Sequence, residues 1–180
     1  MGHRLPPLSL DELYAHSLAL ERHAAARYRD YAQIVRDLGH HQLAETFVQL
    51  EKDELEQVSL LERGAGGRTL PEVPTWEHGL ALAGPSGALK HRPVERPRSA
   101  ADAIAMALAA ERRAEAFYCD VAAHASEIAV KSVAALMAED ERRHIDQLEG
   151  LLGRKLGPVE LDRETLRRRT QQRSVAGRNW

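Results

Sequence analysis

The chain has 180 residues, of which 43% are hydrophobic and 29% are charged, and its formal net charge is −2. This length suits one ordinary domain, and these proportions exclude a wholly disordered chain and a surface built throughout for nucleic acid. A single cysteine, Cys119, excludes an intrachain disulfide framework and any metal site made of cysteines alone.

Residues 1–9 show no targeting signal. They include two prolines and lack the apolar run of a signal peptide. No later stretch approaches the roughly 20 apolar residues that a membrane span requires. We therefore expect a cytoplasmic protein with no membrane or nucleic-acid partner.

The first half of the chain predicts two helices. Aromatic residues make up only 4% of the chain, while Ala, Leu, Glu and Arg are abundant, which favours helix over sheet. Ser9 and Glu12 have the spacing of a capping box, so a helix is predicted from about residue 10 to residue 38. Gly39 supplies its stop, and a second helix is predicted over residues 42–63.

The second half predicts two more helices after a long connection. Residues 64–98 hold six of the twelve glycines and five of the eight prolines, which excludes a continuous helix there. A third helix is predicted between Ser99 and about His124. A fourth is predicted to open at Ser126 and to end near Gly153.

The predicted fold is an all-α four-helix bundle made of two antiparallel helical hairpins. Short turns make the helices of each pair neighbours, and residues 64–98 are long enough to cross the bundle between the pairs. The bundle is predicted to occupy residues 1–153. Residues 154–180 carry eight Lys and Arg against three Asp and Glu, which predicts a basic tail with one short helix over residues 162–170.

Two segments of the chain occur twice. Residues 21–28 on the first helix resemble residues 111–118 on the third, and residues 53–57 on the second resemble residues 140–144 on the fourth. The two halves are therefore predicted to be copies of one helical hairpin. One glutamate of each helix falls within its apolar stripe, at helical spacing from the apolar residues: Glu21, Glu54, Glu111 and Glu141.

Four converging buried carboxylates need neutralisation. Burying one charged carboxylate costs several kcal/mol even after relaxation, and four would also repel one another. Protons, arginines or metal ions can compensate the charge, and two divalent cations would supply four positive charges. His144 follows Glu141 by three residues, so both side chains leave the helix in the same direction and can hold one ion together.

Taken one at a time, each glutamate is more simply explained as an edge residue of its stripe. Charged side chains are seldom fully buried, and Arg22, Arg112 and Arg142 are available as salt-bridge partners. Taken together, four glutamates at repeated positions favour a metal site over four unrelated surface ion pairs.

The repeated segments resemble the di-iron core of the rubrerythrin branch of the ferritin-like superfamily, over about residues 10–152. The resemblance includes the order of the helices and the long crossover, and it implies two iron ions per chain. It also implies that Tyr28 and Tyr118, two turns after the first and third glutamates, donate hydrogen bonds to ligand carboxylates. The metal ligands that it implies are Glu21, Glu54, Gln57, Glu111, Glu141 and His144. All of these except Gln57 are also candidate catalytic residues.

Two positions depart from the rubrerythrin pattern. Gln57 stands where a second histidine is expected, and a neutral amide oxygen is a poorer ligand for ferrous iron than imidazole. The second ion is therefore expected to be weak, exchangeable or absent, and the metal need not be iron. Ala114 stands where an additional glutamate is expected, which weakens the case for the redox-linked ligand shift of rubrerythrins. Glu51, one turn before Glu54, is an alternative ligand.

The resemblance implies a non-haem di-iron oxidoreductase. Such a protein would reduce hydrogen peroxide or dioxygen while ferrous iron is oxidised, as a peroxidase or ferroxidase in oxidative stress or iron detoxification. The chain lacks the cysteines of a rubredoxin-type domain, so we expect an external electron donor, and ferritin-like hairpins commonly pair into homodimers. The alternative, motivated by Gln57 and Ala114, is a helical scaffold with a degraded metal site that acts as an interaction protein.

Overall fold

The fold consists of four helices in the computed structural model, which describes residues 8–73 and 96–153. In chain order the helices are α1 (Leu10–Asp37), α2 (His41–Ala65), α3 (Ala100–His124) and α4 (Ile128–Gly153). They comprise 84% of the described residues, and no strand occurs within these two ranges. The prediction of an all-α four-helix bundle is confirmed.

Two predicted segments lie outside the described residues. They are the middle of the crossover, residues 74–95, and the basic tail, residues 154–180, with its short helix. The division into a bundle and a tail therefore stays a prediction. Within the described ranges, none of the helices combines the length and the apolar composition needed to cross a membrane.

Short-range hydrogen bonds and one glycine set the limits of α1. Ser9 Oγ accepts a hydrogen bond from the Glu12 backbone N–H at 3.3 Å, and the Glu12 carboxylate accepts one from the Ser9 N–H at 2.7 Å. This capping box starts α1 at the predicted residue. After the helix, Gly39 adopts a φ of 86°, a left-handed conformation that glycine reaches without strain.

The fourth helix begins later than the sequence predicts, at Ile128 rather than at Ser126. The Lys131 N–H donates to the Glu127 carbonyl at 3.0 Å, which makes Glu127 the residue that opens the helical hydrogen bonds. Ser126 belongs instead to the bend that joins α3 to α4.

Apolar side chains form two clusters along the bundle, and each cluster draws on all four helices. The first cluster includes, from α1 to α4, Leu13, Leu61, Tyr118 and Val130. The second cluster includes, in the same order, Tyr28, Phe47, Ile104 and Leu148. Neither hairpin therefore completes a core by itself.

The clusters also show the direction of each helix. The α1 and α4 helices run from the first cluster to the second, whereas α2 and α3 run from the second to the first. Within each hairpin, α1 packs against α2 and α3 packs against α4. The end of α2 and the start of α3 therefore lie at opposite ends of the bundle, roughly 35–40 Å apart at about 1.5 Å per residue.

Two glycines within helices provide a test of this packing. Alanine at Gly150, an exposed position of α4 with nothing within 4 Å of an added Cβ, is expected to stabilise the protein by about 0.5–1 kcal/mol through helix propensity. Alanine at Gly64 would place its Cβ 2.7 Å from the Tyr14 hydroxyl, so we expect a net loss of about 1 kcal/mol. Urea unfolding of Gly150→Ala and Gly64→Ala measures both effects, and equal gains would contradict the contact between α1 and α2.

Candidate metal centre

The junction between the two apolar clusters is occupied by one glutamate from each helix. On every helix the glutamate lies between the residues of the first cluster and those of the second. All of these side chains, and one histidine of α4, are buried, with exposures of 6% or less: Glu21, Glu54, Glu111, Glu141 and His144. The apolar core is thus divided by a layer of ionisable groups.

Four of these side chains converge on one point. Among the described residues, one ligand atom each from Glu54, Glu111, Glu141 and His144 lies within 4.8 Å of every other. His144 Nδ1 is 3.2 Å from Glu54 Oε1 and 3.9 Å from Glu141 Oε2. Its distance to Glu111 Oε2 is 4.0 Å. Three carboxylates and one imidazole nitrogen form a donor set suited to iron, zinc or manganese.

Tyrosines orient two of the carboxylates across the hairpins. The Tyr28 hydroxyl of α1 donates to Glu111 Oε1 at 2.7 Å, and the Tyr118 hydroxyl of α3 donates to Glu21 Oε1 at 2.5 Å. Both tyrosines are fully buried. Each hairpin therefore supplies the donor that holds the glutamate of the other hairpin, and Glu111 keeps Oε2 turned towards the cluster.

Several atoms of the cluster have no hydrogen-bond partner among the described residues. They are both carboxylate oxygens of Glu54, Oε2 of Glu141 and Nδ1 of His144. Buried polar atoms are normally paired, and leaving them unpaired costs free energy. A cation coordinated by these oxygens and this nitrogen would satisfy them, so the residues present fit a metal ion.

Burial dominates the acid–base properties of the cluster. It raises the pKa of Glu54 well above its ordinary value, and the neighbouring Glu21 and Glu111 raise it further. Burial also raises the pKa of Glu141 well above its ordinary value, and the charge of Glu21 is the next largest cause. Burial lowers the pKa of His144, which favours the neutral imidazole that binds metals.

The pKa values of Glu21 and Glu111 are shifted in opposite directions. Burial raises the pKa of Glu21, although the neighbouring Glu54 carboxyl and the hydrogen bond from Tyr118 oppose the effect. Burial acts in the same direction on Glu111, but its hydrogen bond with Glu141 and the charge of Arg27 outweigh it and lower the pKa of Glu111. Glu111 is therefore the carboxylate of the cluster that ionises most readily.

Sequence reasoning missed Arg27. Its Nη2 donates to Glu111 Oε1 at 2.8 Å, and its guanidinium carbon lies 5.5 Å from the centre of the Tyr28 ring. The helical spacing of Arg27 indicates that it faces the core, because it follows Ala24 by three residues and precedes Tyr31 by four, and both of these are buried on α1.

The three arginines available as salt-bridge partners do not bind the buried glutamates. Each pairs with a carboxylate outside the cluster: Arg22 with Glu62 at 2.7 Å, Arg112 with Glu149 at 2.5 Å, and Arg142 with Glu115 at 2.8 Å. None of these three ion pairs involves a buried glutamate, and among the described arginines Arg27 is the one that forms an ion pair with one of them, Glu111.

Gln57 and Ala114, the two positions that depart from the rubrerythrin pattern, bring no carboxylate or imidazole to the cluster. The Gln57 amide Nε2 donates to Asp140 Oδ2 at 2.5 Å, so a ligand role for Gln57 rests on its carbonyl oxygen alone. Ala114 offers no donor. The Glu51 carboxylate accepts a hydrogen bond from Arg29 Nε at 2.7 Å, which holds it in a surface ion pair.

A crystal structure supports the fold. The bundle is similar to that of an uncharacterized conserved protein from Magnetospirillum magnetotacticum, with a TM-score of 0.71 and 22% sequence identity. The match covers 84% of this chain and 98% of that chain. At this identity the likeness shows the fold alone. No family model and no curated protein matches the chain.

The raised pKa values of Glu54 and Glu141 predict how the stability of the metal-free protein depends on pH. Above about pH 5, beyond the ordinary pKa of a glutamate, the unfolded chain has released these protons, whereas the raised pKa values favour their retention in the folded chain, so the free energy of unfolding falls as pH rises. Glu21, whose pKa is also raised, acts in the same direction, and the lowered pKa of His144 acts in the opposite direction, as one group against three. The lowered pKa of Glu111 adds no slope there, because it is ionised in both states.

Urea unfolding in the presence of a chelator tests this dependence. The Glu54→Gln variant, which cannot ionise at this position, is expected to show a smaller slope with pH than the wild type. A wild-type stability that is constant or rises over this range would contradict the burial of protonated carboxyls.

Proposed function

We propose that this chain is a rubrerythrin-like non-haem iron oxidoreductase that reduces hydrogen peroxide or dioxygen. The observation that carries the proposal is the convergence of three carboxylates and His144 from three helices, with unpaired donor atoms that no side chain satisfies. The fourth glutamate, Glu21, lies beside this group on the remaining helix. The resemblance of the repeated segments to the di-iron core of rubrerythrins adds support.

The side chains would divide the work as follows. Glu54, Glu111, Glu141 and His144 would hold one ion. The resemblance implies a second metal position with Glu21 as its ligand. Glu54 and Glu141 would be shared between the two metal positions, and Gln57 would be a weak neutral ligand of the second. Tyr28 and Tyr118 would keep the outer carboxylates in a fixed orientation.

Bound ferrous iron would supply one electron per ion, so reduction of one peroxide molecule to two waters uses two ions and two protons. The carboxylates of the cluster favour the higher positive charge of the oxidised metal, which lowers the barrier to giving up the electron. Return to the ferrous state would need an external reductant, because one cysteine among these 180 residues cannot form a rubredoxin-type iron site. Replacement by fresh ferrous iron would give ferroxidase-type iron detoxification instead.

A small cavity supports an oxidant of few atoms. It measures about 10 Å³, enough for roughly one water molecule, and it lies between α1 and α3. Its walls combine alanines at positions 24, 110 and 114 with carboxylates of the cluster, among them Glu21 and Glu111. A larger side chain at Ala114 would fill the cavity, so the small residue leaves room next to the acidic groups.

The second candidate is a helical scaffold that binds no metal. The hydrogen bond from Gln57 to Asp140 favours the scaffold. It ties the Gln57 side chain to Asp140, and Gln57 supplies no imidazole to bind a metal ion. Under this hypothesis the protein would act through pairing with another copy or through its basic tail.

Anaerobic loading with ferrous iron separates the two functions. Iron is counted after desalting, and the loaded protein is then titrated with hydrogen peroxide while the ferric absorbance is recorded. The oxidoreductase is expected to retain iron and to oxidise two ferrous ions per peroxide. Protein that retains no iron after reconstitution would establish the scaffold, and retained iron that peroxide does not oxidise faster than free iron would exclude the proposed reaction.

A matched pair of glutamates on α3 tests the ligand assignment. Glu111 is buried in the cluster, whereas Glu115, one turn later, pairs with Arg142 near the surface. The variant Glu111→Gln keeps the size of the side chain but removes the charge, so its metal content is expected to fall at least about tenfold. The variant Glu115→Gln is expected to retain the metal content of the wild type. Elemental analysis of both variants would contradict the assignment if their metal contents were equal.

A further inference from the structure

Arg27 brings a permanent positive charge to the cluster. Its Nη2 lies 2.8 Å from Glu111 Oε1, and its side chain is 18% exposed, against 57% for Arg22 on the same helix. Its attraction extends to Glu21 and Glu54. A guanidinium stays charged at every physiological pH, so this compensation is present whether or not protons or metal ions are bound.

The two halves of the chain differ at this position. In the repeated segments, residues 21–28 and 111–118, Arg27 corresponds to Phe117. Phe117 is apolar and belongs to the first apolar cluster, where it packs edge-on against Tyr118. At this repeated position, only the first hairpin carries a positive charge.

The two halves also differ in their nitrogen ligands. Three residues after the buried glutamate stands Gln57 in α2 but His144 in α4. His144 has an unpaired Nδ1 among the carboxylates, whereas Gln57 has its amide N–H bonded to Asp140. Ala114, which lines the cavity beside Glu21, adds no donor either. One metal position thus has four good ligands, and the other lacks the imidazole that would complete it.

We propose that Arg27 takes the place of the second cation that the resemblance implies, so that the cluster binds a single metal ion through Glu54, Glu111, Glu141 and His144. Reduction of one peroxide would then take one electron from this ion and one from the external reductant. This inference rests on the proposed function, since it requires that the cluster binds metal. Four ionised carboxylates and one guanidinium leave three negative charges, which one trivalent ion neutralises and one divalent ion reduces to a single charge. Two divalent ions would leave a positive charge in the bundle interior, where uncompensated charge is costly.

Titration of the metal-free, full-length chain with Mn²⁺ under anaerobic conditions tests the inference. Bound metal is counted by equilibrium dialysis, and electron paramagnetic resonance distinguishes isolated ions from magnetically coupled pairs. The wild type is expected to bind one isolated ion per chain. In Arg27→Gln the first ion is expected to bind about tenfold more tightly, and a second ion to bind beside it with the signal of a coupled pair.

Two controls isolate the charge of Arg27. The variant Arg27→Lys retains a positive charge and is expected to stay at one ion. The variant Arg22→Gln removes an exposed arginine of the same helix, and its titration is expected to match that of the wild type. Circular dichroism checks the helix content of each variant, and Arg27→Met replaces Arg27→Gln if the latter does not fold.

Each remaining outcome has a definite meaning. A wild type that binds two ions with similar affinity overturns the inference but leaves the proposed function intact. A folded variant without the positive charge that still binds one ion overturns the role assigned to Arg27. A wild type that binds no ion overturns the proposed function itself, and the inference with it.

Discussion

The burial of four carboxylates in one layer is the constraint that the rest of the bundle satisfies. Ionised acids at such a depth repel one another and lose their hydration, and either effect alone would open a four-helix bundle. The neighbouring side chains offset part of this free-energy cost. Tyr28 and Tyr118 donate hydrogen bonds to the carboxylates, and Arg27 donates a hydrogen bond and is positively charged. The buried atoms that still lack a hydrogen-bond partner include both carboxylate oxygens of Glu54 and Nδ1 of His144. Oxygen and nitrogen atoms of this kind are metal ligands.

Much of this architecture could be predicted from the sequence, because it depends on short-range patterns. Capping residues, glycines and apolar spacing locate the four helices, and the same spacing places one glutamate of each helix in the core. Pairings between distant residues could not be predicted in this way. Arg27 contacts Glu111 across 84 positions of the chain, and Gln57 reaches Asp140 across 83, so their partners depend on how the hairpins dock. An arginine at a core-facing position is usually able to extend its charged end into water, and only the packed bundle shows that this one does not.

The chemistry proposed for the site depends on asymmetric use of a repeated framework. Both hairpins provide a glutamate pair and a tyrosine, but the imidazole of the ligand group, His144, comes from the second hairpin and the guanidinium that contacts Glu111, Arg27, comes from the first. The carboxylates set the affinity for cations, the arginine limits how many can be accommodated, and the alanine-lined cavity limits the size of a molecule that can approach. These three properties are carried by different residues and can therefore change independently.

The two apolar clusters, each assembled from all four helices, have a consequence for how such a chain could arise. A single hairpin contributes two of the four helices of each cluster. Without a covalently attached second hairpin, it could bury these apolar side chains against a second copy of itself. Two identical copies must present identical residues around their twofold axis, so histidine would face histidine and arginine would face arginine. Covalent fusion of the copies removes that symmetry requirement. The differences between Gln57 and His144, and between Arg27 and Phe117, at corresponding positions could not exist in a dimer of two identical hairpins.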